Sequence, residues 1–129
     1  MLDPSELKMK RRTLRPLRPQ QQPADHHNVY VVLLDPAVSK ITKVRAGNPG
    51  RDRKKPCVYV GMTGLTPEER FKNHKAGIKA ASVVTRYGIR LMPGLYQHLN
   101  PMPFEAAGKM EVDLAEDLRL AGYTVTGGH

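Results

Sequence analysis

Residues 57–70 read CVYVGMTGLTPEER, and the fold turns on how they are parsed. Cys57-Val58-Tyr59-Val60 is apolar, β-branched and aromatic, which makes a short strand that Gly61 ends. Thr66-Pro67-Glu68-Glu69 then opens a helix. Thr66 can cap it, Pro67 suits its first position, and Glu69 closes a capping box at the third. Upstream, residues 29–34 read VYVVLL before Asp35-Pro36, the pattern of a strand buried on both faces. The two strands can pair as a hairpin across 36–55, a long basic loop with room for a short helix near its start. Downstream, the helix from Pro67 is expected to run to about residue 80. Residues 82–92, SVVTRYGIRLM, read as extended or as a broken helix. Residues 93–99 suit one or two helical turns, stopped by Asn100-Pro101. Residues 103–121 form the clearest helix, ended by Gly122, and Tyr123-Thr124-Val125-Thr126 is a short last strand. This is an α+β domain over 28–129, preceded by a proline- and glutamine-rich basic tail over 1–27 that reads as disordered.

The 129 residues carry 21 Lys and Arg against 12 Asp and Glu, a net charge of +9. Such a balance favours a polyanionic partner. The excess is uneven. Residues 1–27 contribute +3, residues 28–55 contribute +5, and residues 56–129 only +1. Within the last part the signs separate: Arg70, Lys72, Lys75, Lys79, Arg86 and Arg90 follow one another with no acid between them. A lysine run is usually a solvated face. A one-sign stretch beside a crevice instead suits phosphate contact. The 36–55 loop offers Arg51, Arg53, Lys54 and Lys55 for the same purpose. The tail over 1–27 could bind phosphates or merely solubilise. No run of 18 apolar residues and no apolar leader is present, so neither a membrane span nor a signal peptide is expected. The single Cys57 cannot form an internal disulfide, which sets a reducing, cytoplasmic expectation. His26 and His27 are adjacent and would face apart in a strand, which does not suit a metal site.

One acid stands out. At about 100° per residue, Ala107, Leu118, Phe104, Ala115 and Leu114 all fall within about 60° of Glu111 on the last helix. Glu105, Asp113, Glu116 and Asp117 fall on the other side, where a solvated face belongs. A carboxylate turned to a core costs several kcal/mol unless it is paired or binds a metal. The plain reading is an ion pair with an arginine inside the fold. The functional reading is a placed acid. Arg70 and His74, four apart, share a face of the earlier helix, with Phe71 and Ile78 marking its buried side. Tyr30 and Tyr59 each lie within a short apolar strand, where either could be an ordinary core tyrosine. Together these residues suit phosphodiester chemistry. A carboxylate can hold a divalent metal, an arginine can neutralise charge on phosphorus, and tyrosine or histidine can move protons.

The series resembles the GIY-YIG nuclease superfamily. Asn28-Val29-Tyr30 stands at the GIY tripeptide and Tyr59-Val60-Gly61 at YIG. Arg70 looks like the family arginine, His74 like its His/Tyr position, and Glu111 like its metal-binding glutamate. The resemblance covers roughly residues 28–126. It implies a three-stranded antiparallel sheet flanked by helices and DNA cleavage with one divalent ion, Mg2+ or Mn2+, on Glu111. Arg70 would bind the scissile phosphate, Tyr59 or Tyr30 would orient or deprotonate water, and His74 would assist. Asn28 replaces the first glycine, the connection between the tyrosine motifs is unusually long, and Thr124 stands about where the family often carries an asparagine. A metal-dependent DNA endonuclease is thus the leading expectation. A nucleic-acid-binding module that does not cut is the alternative, and a protein whose Glu111–Arg70 pair is structural is a third reading. Nothing in the sequence requires an obligate protein partner.

Overall fold

The computed structural model describes residues 25–128 and, near the start of the chain, the two-residue segments Asp3–Pro4 and Glu6–Leu7. Most of the expected tail over 1–27 lies outside the described residues; His27, at its end, already bridges Met102 through two backbone hydrogen bonds. The class is α+β. Four strands form one sheet: β1 (Asn28–Leu34), β2 (Cys57–Thr63), β3 (Gly88–Leu91) and β4 (Thr124–Gly127), in the spatial order β3-β1-β2-β4. The helices are α1 (Thr42–Ala46), α2 (Pro67–Lys75), α3 (Ser82–Tyr87) and α4 (Phe104–Leu120).

β1 is central and covered on both faces: Val29, Tyr30, Val31, Val32 and Leu34 are all buried. It pairs with β2 antiparallel, with Tyr30 opposite Gly61, Val32 opposite Tyr59 and Leu34 opposite Cys57. β2 does not stop at Gly61 but runs through it to Thr63, because the glycine stays in register with Tyr30.

The three-stranded antiparallel sheet is corrected in two ways. The ambiguous segment 82–92 splits into α3 and then β3, which adds an antiparallel strand on the far side of β1. β4 runs parallel to β2, so the sheet is mixed. Parallel neighbours need a crossover. Here the chain leaves β2, passes through the helices and returns along α4, entering β4 in the direction in which it left.

α2 ends at Lys75 rather than near residue 80. Gly77 takes φ +76°, its N–H bonds to the His74 carbonyl, and the Ile78 N–H reaches back to Asn73. This is a Schellman stop, with glycine at the left-handed position. Ile78 is therefore 53% exposed and not part of the buried side. α4 buries Ala107, Glu111, Ala115 and Leu118, the arc expected of it, but Phe104 at its first turn is 61% exposed. Phe104 packs edge-on against His27 instead.

The 36–55 connection is not an irregular loop. It holds a 3-10 turn, Pro36–Lys40, then α1, and is pinned to the sheet by Asn48. The buried Asn48 amide accepts from the Val125 N–H and donates to the Val125 and Val44 carbonyls, replacing the neighbour that β4 lacks on its outer edge. Asn100 does the same for Val29, with bonds of 2.9 Å and 2.8 Å to its N–H and carbonyl. Asn48→Asp keeps the size but loses the donor. It is expected to cost about 2–4 kcal/mol, since buried backbone groups lose partners. The check is thermal unfolding, with a midpoint about 10 °C lower or more; an unchanged midpoint would show that the clamp carries no stability. No described helix is long and apolar enough to cross a membrane.

Candidate active site

Three elements meet at one end of the sheet. β1 delivers Tyr30, β2 delivers Tyr59 and α2 delivers His74, which is fully buried. The capping box at Thr66 fixes where α2 begins, and thereby which of its residues face the sheet. The Tyr30 Oη and His74 Nε2 are 2.8 Å apart. The Tyr59 ring meets the His74 ring edge-on, with centroids 5.6 Å apart, and lies 6.2 Å from the Tyr30 ring.

The proton positions follow from a backbone contact. The Ala81 N–H donates to His74 Nδ1 at 3.1 Å, so in the neutral ring the proton sits on Nε2. Nε2–H then donates to the Tyr30 oxygen. The Tyr30 hydroxyl keeps its own hydrogen for Tyr59, with which it interacts. The polar chain therefore runs Ala81, His74, Tyr30, Tyr59, and Tyr59 is its outer end. Tyr59 is also the half-buried member, whereas Tyr30 is sealed.

Electrostatics divide the roles further. Burial pushes the Tyr30 hydroxyl well above the ordinary tyrosine range, with the neighbouring Arg70 charge opposing. Tyr59 is also raised, first by burial and then by the negative charge of Glu111; Arg70 and the bond from Tyr30 pull it back. Glu111 is 6% exposed and comes from α4, so its influence on Tyr59 brings that helix to the same end of the sheet. Burial, followed by the Arg70 charge, draws His74 down to about 4.

This depression makes stability pH-dependent in a defined window. The unfolded chain takes up the His74 proton near 6.5 and the folded one only near 4. Between those values the unfolded state binds more protons, so stability falls as pH drops from about 6.5 to 4 and levels off below. Unfolding midpoints across this range, compared with His74→Phe, are the measurement. The variant is expected to lose part of the slope, and an identical slope would exclude His74 as its source.

Arg70 reaches the site from α2, but its guanidinium also donates to the Lys79 carbonyl at 2.8 Å and to the Ile78 carbonyl at 3.4 Å. Lys79 adopts φ +47°, a left-handed conformation unusual for a side chain with a Cβ, and Arg70 holds its carbonyl there. Lys79 is thus in the loop after α2 and not on the helix. Lys75 lies on α2, with its ammonium donating to the Thr85 and Gly88 carbonyls. Lys72 and Arg86 are exposed, and Arg90 is exposed with a bond to the Leu91 carbonyl. Arg53, Lys54 and Lys55 are exposed on the connection, and Arg51 is partly covered.

Thr124 does not join the tyrosines. It pairs with Cys57, four rows of the sheet away from the Tyr30–Gly61 row. Asn28 donates to the Leu65 carbonyl and so braces the turn after β2. One contributor to the site, Gly127, escapes the sequence reading, and Gly61 reads there only as a strand end and as part of the YIG match. Gly61 and Gly127 lie on either side of the Tyr59 ring, and a Cβ on either would stand 2.9 Å from a ring carbon. No family model, curated protein or solved structure matches this chain.

Glu111 and the Tyr59 hydroxyl offer hard oxygen donors, the type that Mg2+ or Mn2+ takes. Among the described residues, no group of three or more His, Cys, Asp or Glu side chains gathers, at this site or elsewhere. One carboxylate, completed by water and substrate phosphate, is a sufficient protein contribution for Mg2+.

Proposed function

We propose that the chain is a metal-dependent endonuclease that hydrolyses DNA phosphodiester bonds at Tyr30, Tyr59, Arg70, His74 and Glu111. The observation that carries this is the Tyr30–His74 contact of 2.8 Å. It joins residues 44 apart in sequence into one directed polar chain that ends at Tyr59, beside Glu111 and Arg70.

Glu111, with Tyr59 beside it, would hold the divalent ion. Such an ion, when bound, supplies acidification of water and polarisation of a phosphoryl oxygen. Tyr59 presents its oxygen to the attacking water, while Tyr30 and His74 fix its orientation from behind. His74 serves as a positioning residue, neutral at physiological pH. Glu111 is the charge that raises Tyr59 and Arg70 the one that lowers it. With the Glu111 charge offset by such an ion, Arg70 would be the charge left acting on Tyr59, which would favour the phenolate, the form that can take a proton from water. Arg70 offers its remaining donors to the phosphate. Lys72, Lys79, Arg86 and Arg90 extend the grip along the backbone without reading bases.

The test is incubation of plasmid and branched DNA with Mg2+ or Mn2+, comparing the wild type with Arg70→Ala. Cleavage lost in the variant supports the reading. Absence of cleavage by the wild type on every substrate, with binding intact, would favour the non-cutting module. One observation speaks for that module: Arg70 is engaged by the Ile78 and Lys79 carbonyls.

A further inference from the structure

A concavity lies away from the tyrosines. Its floor includes Leu34 and Cys57, which pair directly, and Thr124, which pairs with Cys57. That row is four residues along β1 from Tyr30, about 13 Å at the rise of a strand. The volume is about 460 Å³, within the range of small-ligand sites. None of the five tyrosine-site residues lines it.

Its walls are of two kinds. Leu33, Ile89, Pro36 and Pro56 make an apolar surface. Lys40, Arg45, Arg51, Arg53 and Lys55 surround it with five cations, and none of the described residues that line the cavity is a carboxylate. The nearby Asp35 instead accepts from the Ala37 N–H and starts the 3-10 turn. Two of the cations are held by neighbours. The Arg45 guanidinium donates to the Lys40 carbonyl at 3.1 Å, and Lys55 sits 5.6 Å over the Tyr123 ring. Like charges gathered in one concavity repel unless an anion settles among them. An apolar surface within a cationic ring matches a ligand with a flat apolar part and a phosphate.

We propose that this cavity binds a nucleoside phosphate, with the base on the apolar wall and the phosphate among Lys40, Arg45, Arg51, Arg53 and Lys55. The inference does not depend on the nuclease reading, because it uses no residue of the tyrosine site. The same chemistry is available from a free nucleotide or from the 5′-phosphorylated end of a strand.

Calorimetric titration of the full chain with AMP, adenosine, a 5′-phosphorylated hexanucleotide and its 5′-hydroxyl twin distinguishes these. AMP binding as tightly as the phosphorylated oligonucleotide identifies a free nucleotide. Preference for the phosphorylated oligonucleotide over both AMP and its twin identifies a strand end. In either case Lys40→Glu with Arg53→Glu is expected to weaken binding about tenfold or more, equivalent to about 1.4 kcal/mol. Lys109→Glu, on exposed α4 surface, should not. Amide signals of Cys57 and Thr124 should shift on adding AMP or the phosphorylated oligonucleotide, whichever binds, while that of Gly61 stays still. The proposal is overturned if neither phosphorylated ligand binds, if adenosine binds as well as AMP, or if charge reversal at Lys40 and Arg53 changes nothing.

Discussion

Glu111→Gln is expected to lower metal-dependent DNA cleavage by a factor of about 10³, the scale seen when one charge-stabilising group is removed from an active site. The substitution keeps the volume, replaces one acceptor oxygen with an amide donor and removes the charge. Glu111 is 6% exposed on a face shared with Ala107, Ala115 and Leu118, so a smaller residue would also leave a cavity. Two measurements separate chemistry from folding. The nicking rate of supercoiled plasmid reports activity. The unfolding midpoint with and without Mg2+ reports ion binding, because a ligand held only by the folded state stabilises it. The wild type should gain stability from Mg2+ and Glu111→Gln should not. If Glu111→Leu were more stable and bound nucleic acid unchanged, Glu111 would belong to a buried ion pair instead.

Gly61→Ala should also damage activity, by about a tenth of the factor expected for Glu111→Gln, while adding a single methyl group. A Cβ there would stand 2.6 Å from the Tyr30 Oη, 2.7 Å from its Cζ and 2.9 Å from the Tyr59 Cε2. Neither ring has room to retreat. Tyr30 is sealed against His74, and Tyr59 meets Gly127 on its other side. Overpacking of this kind costs about 1–3 kcal/mol. The larger effect is geometric, since misplacing reactive groups by about 1 Å can cost a factor of about 10² in rate. Far-ultraviolet circular dichroism should remain that of the wild type while cleavage falls by that factor. In a Tyr30→Ala background the stability cost of Gly61→Ala should shrink to the Tyr59 contact, a coupling that a double-mutant cycle reads. Full additivity would mean that the Tyr30 ring is not what fills the space over Gly61.

Local patterns were legible in the sequence. The Thr66 capping box, the buried run of β1 and the inward arc of α4 each depend on residues close in the chain, and all three occur. Gly77 carried a readable stop signal as well, but the apolar Ile78 suggested another helical turn. The harder cases depend on partners distant in sequence. Residues 82–92 change from helix to strand at Gly88 because β1 has a free edge there, and nothing within the segment announces that edge. The parallel run of β4 depends on the path of α4. Residues of the tyrosine site could be named from the sequence, but not the direction of the polar chain, which rests on one backbone N–H at Ala81. The grouping of Lys40 and Arg45 with Arg51, Arg53 and Lys55 was equally hidden, because the turn and α1 between them fold the charges back on one another.

The two asparagines that close the sheet have a chemical consequence for ageing. An asparagine amide is ordinarily lost when the next backbone nitrogen attacks it and forms a succinimide. Here such a loss would replace the donor facing Val125 or Val29 with an oxygen. Asn48 is followed by Pro49 and Asn100 by Pro101. Proline has no N–H and its nitrogen is a poor nucleophile in this reaction. Both clamps are therefore shielded from spontaneous deamidation by the residue that follows them. On prolonged incubation, damage should appear first at asparagines that lack this protection, such as Asn73.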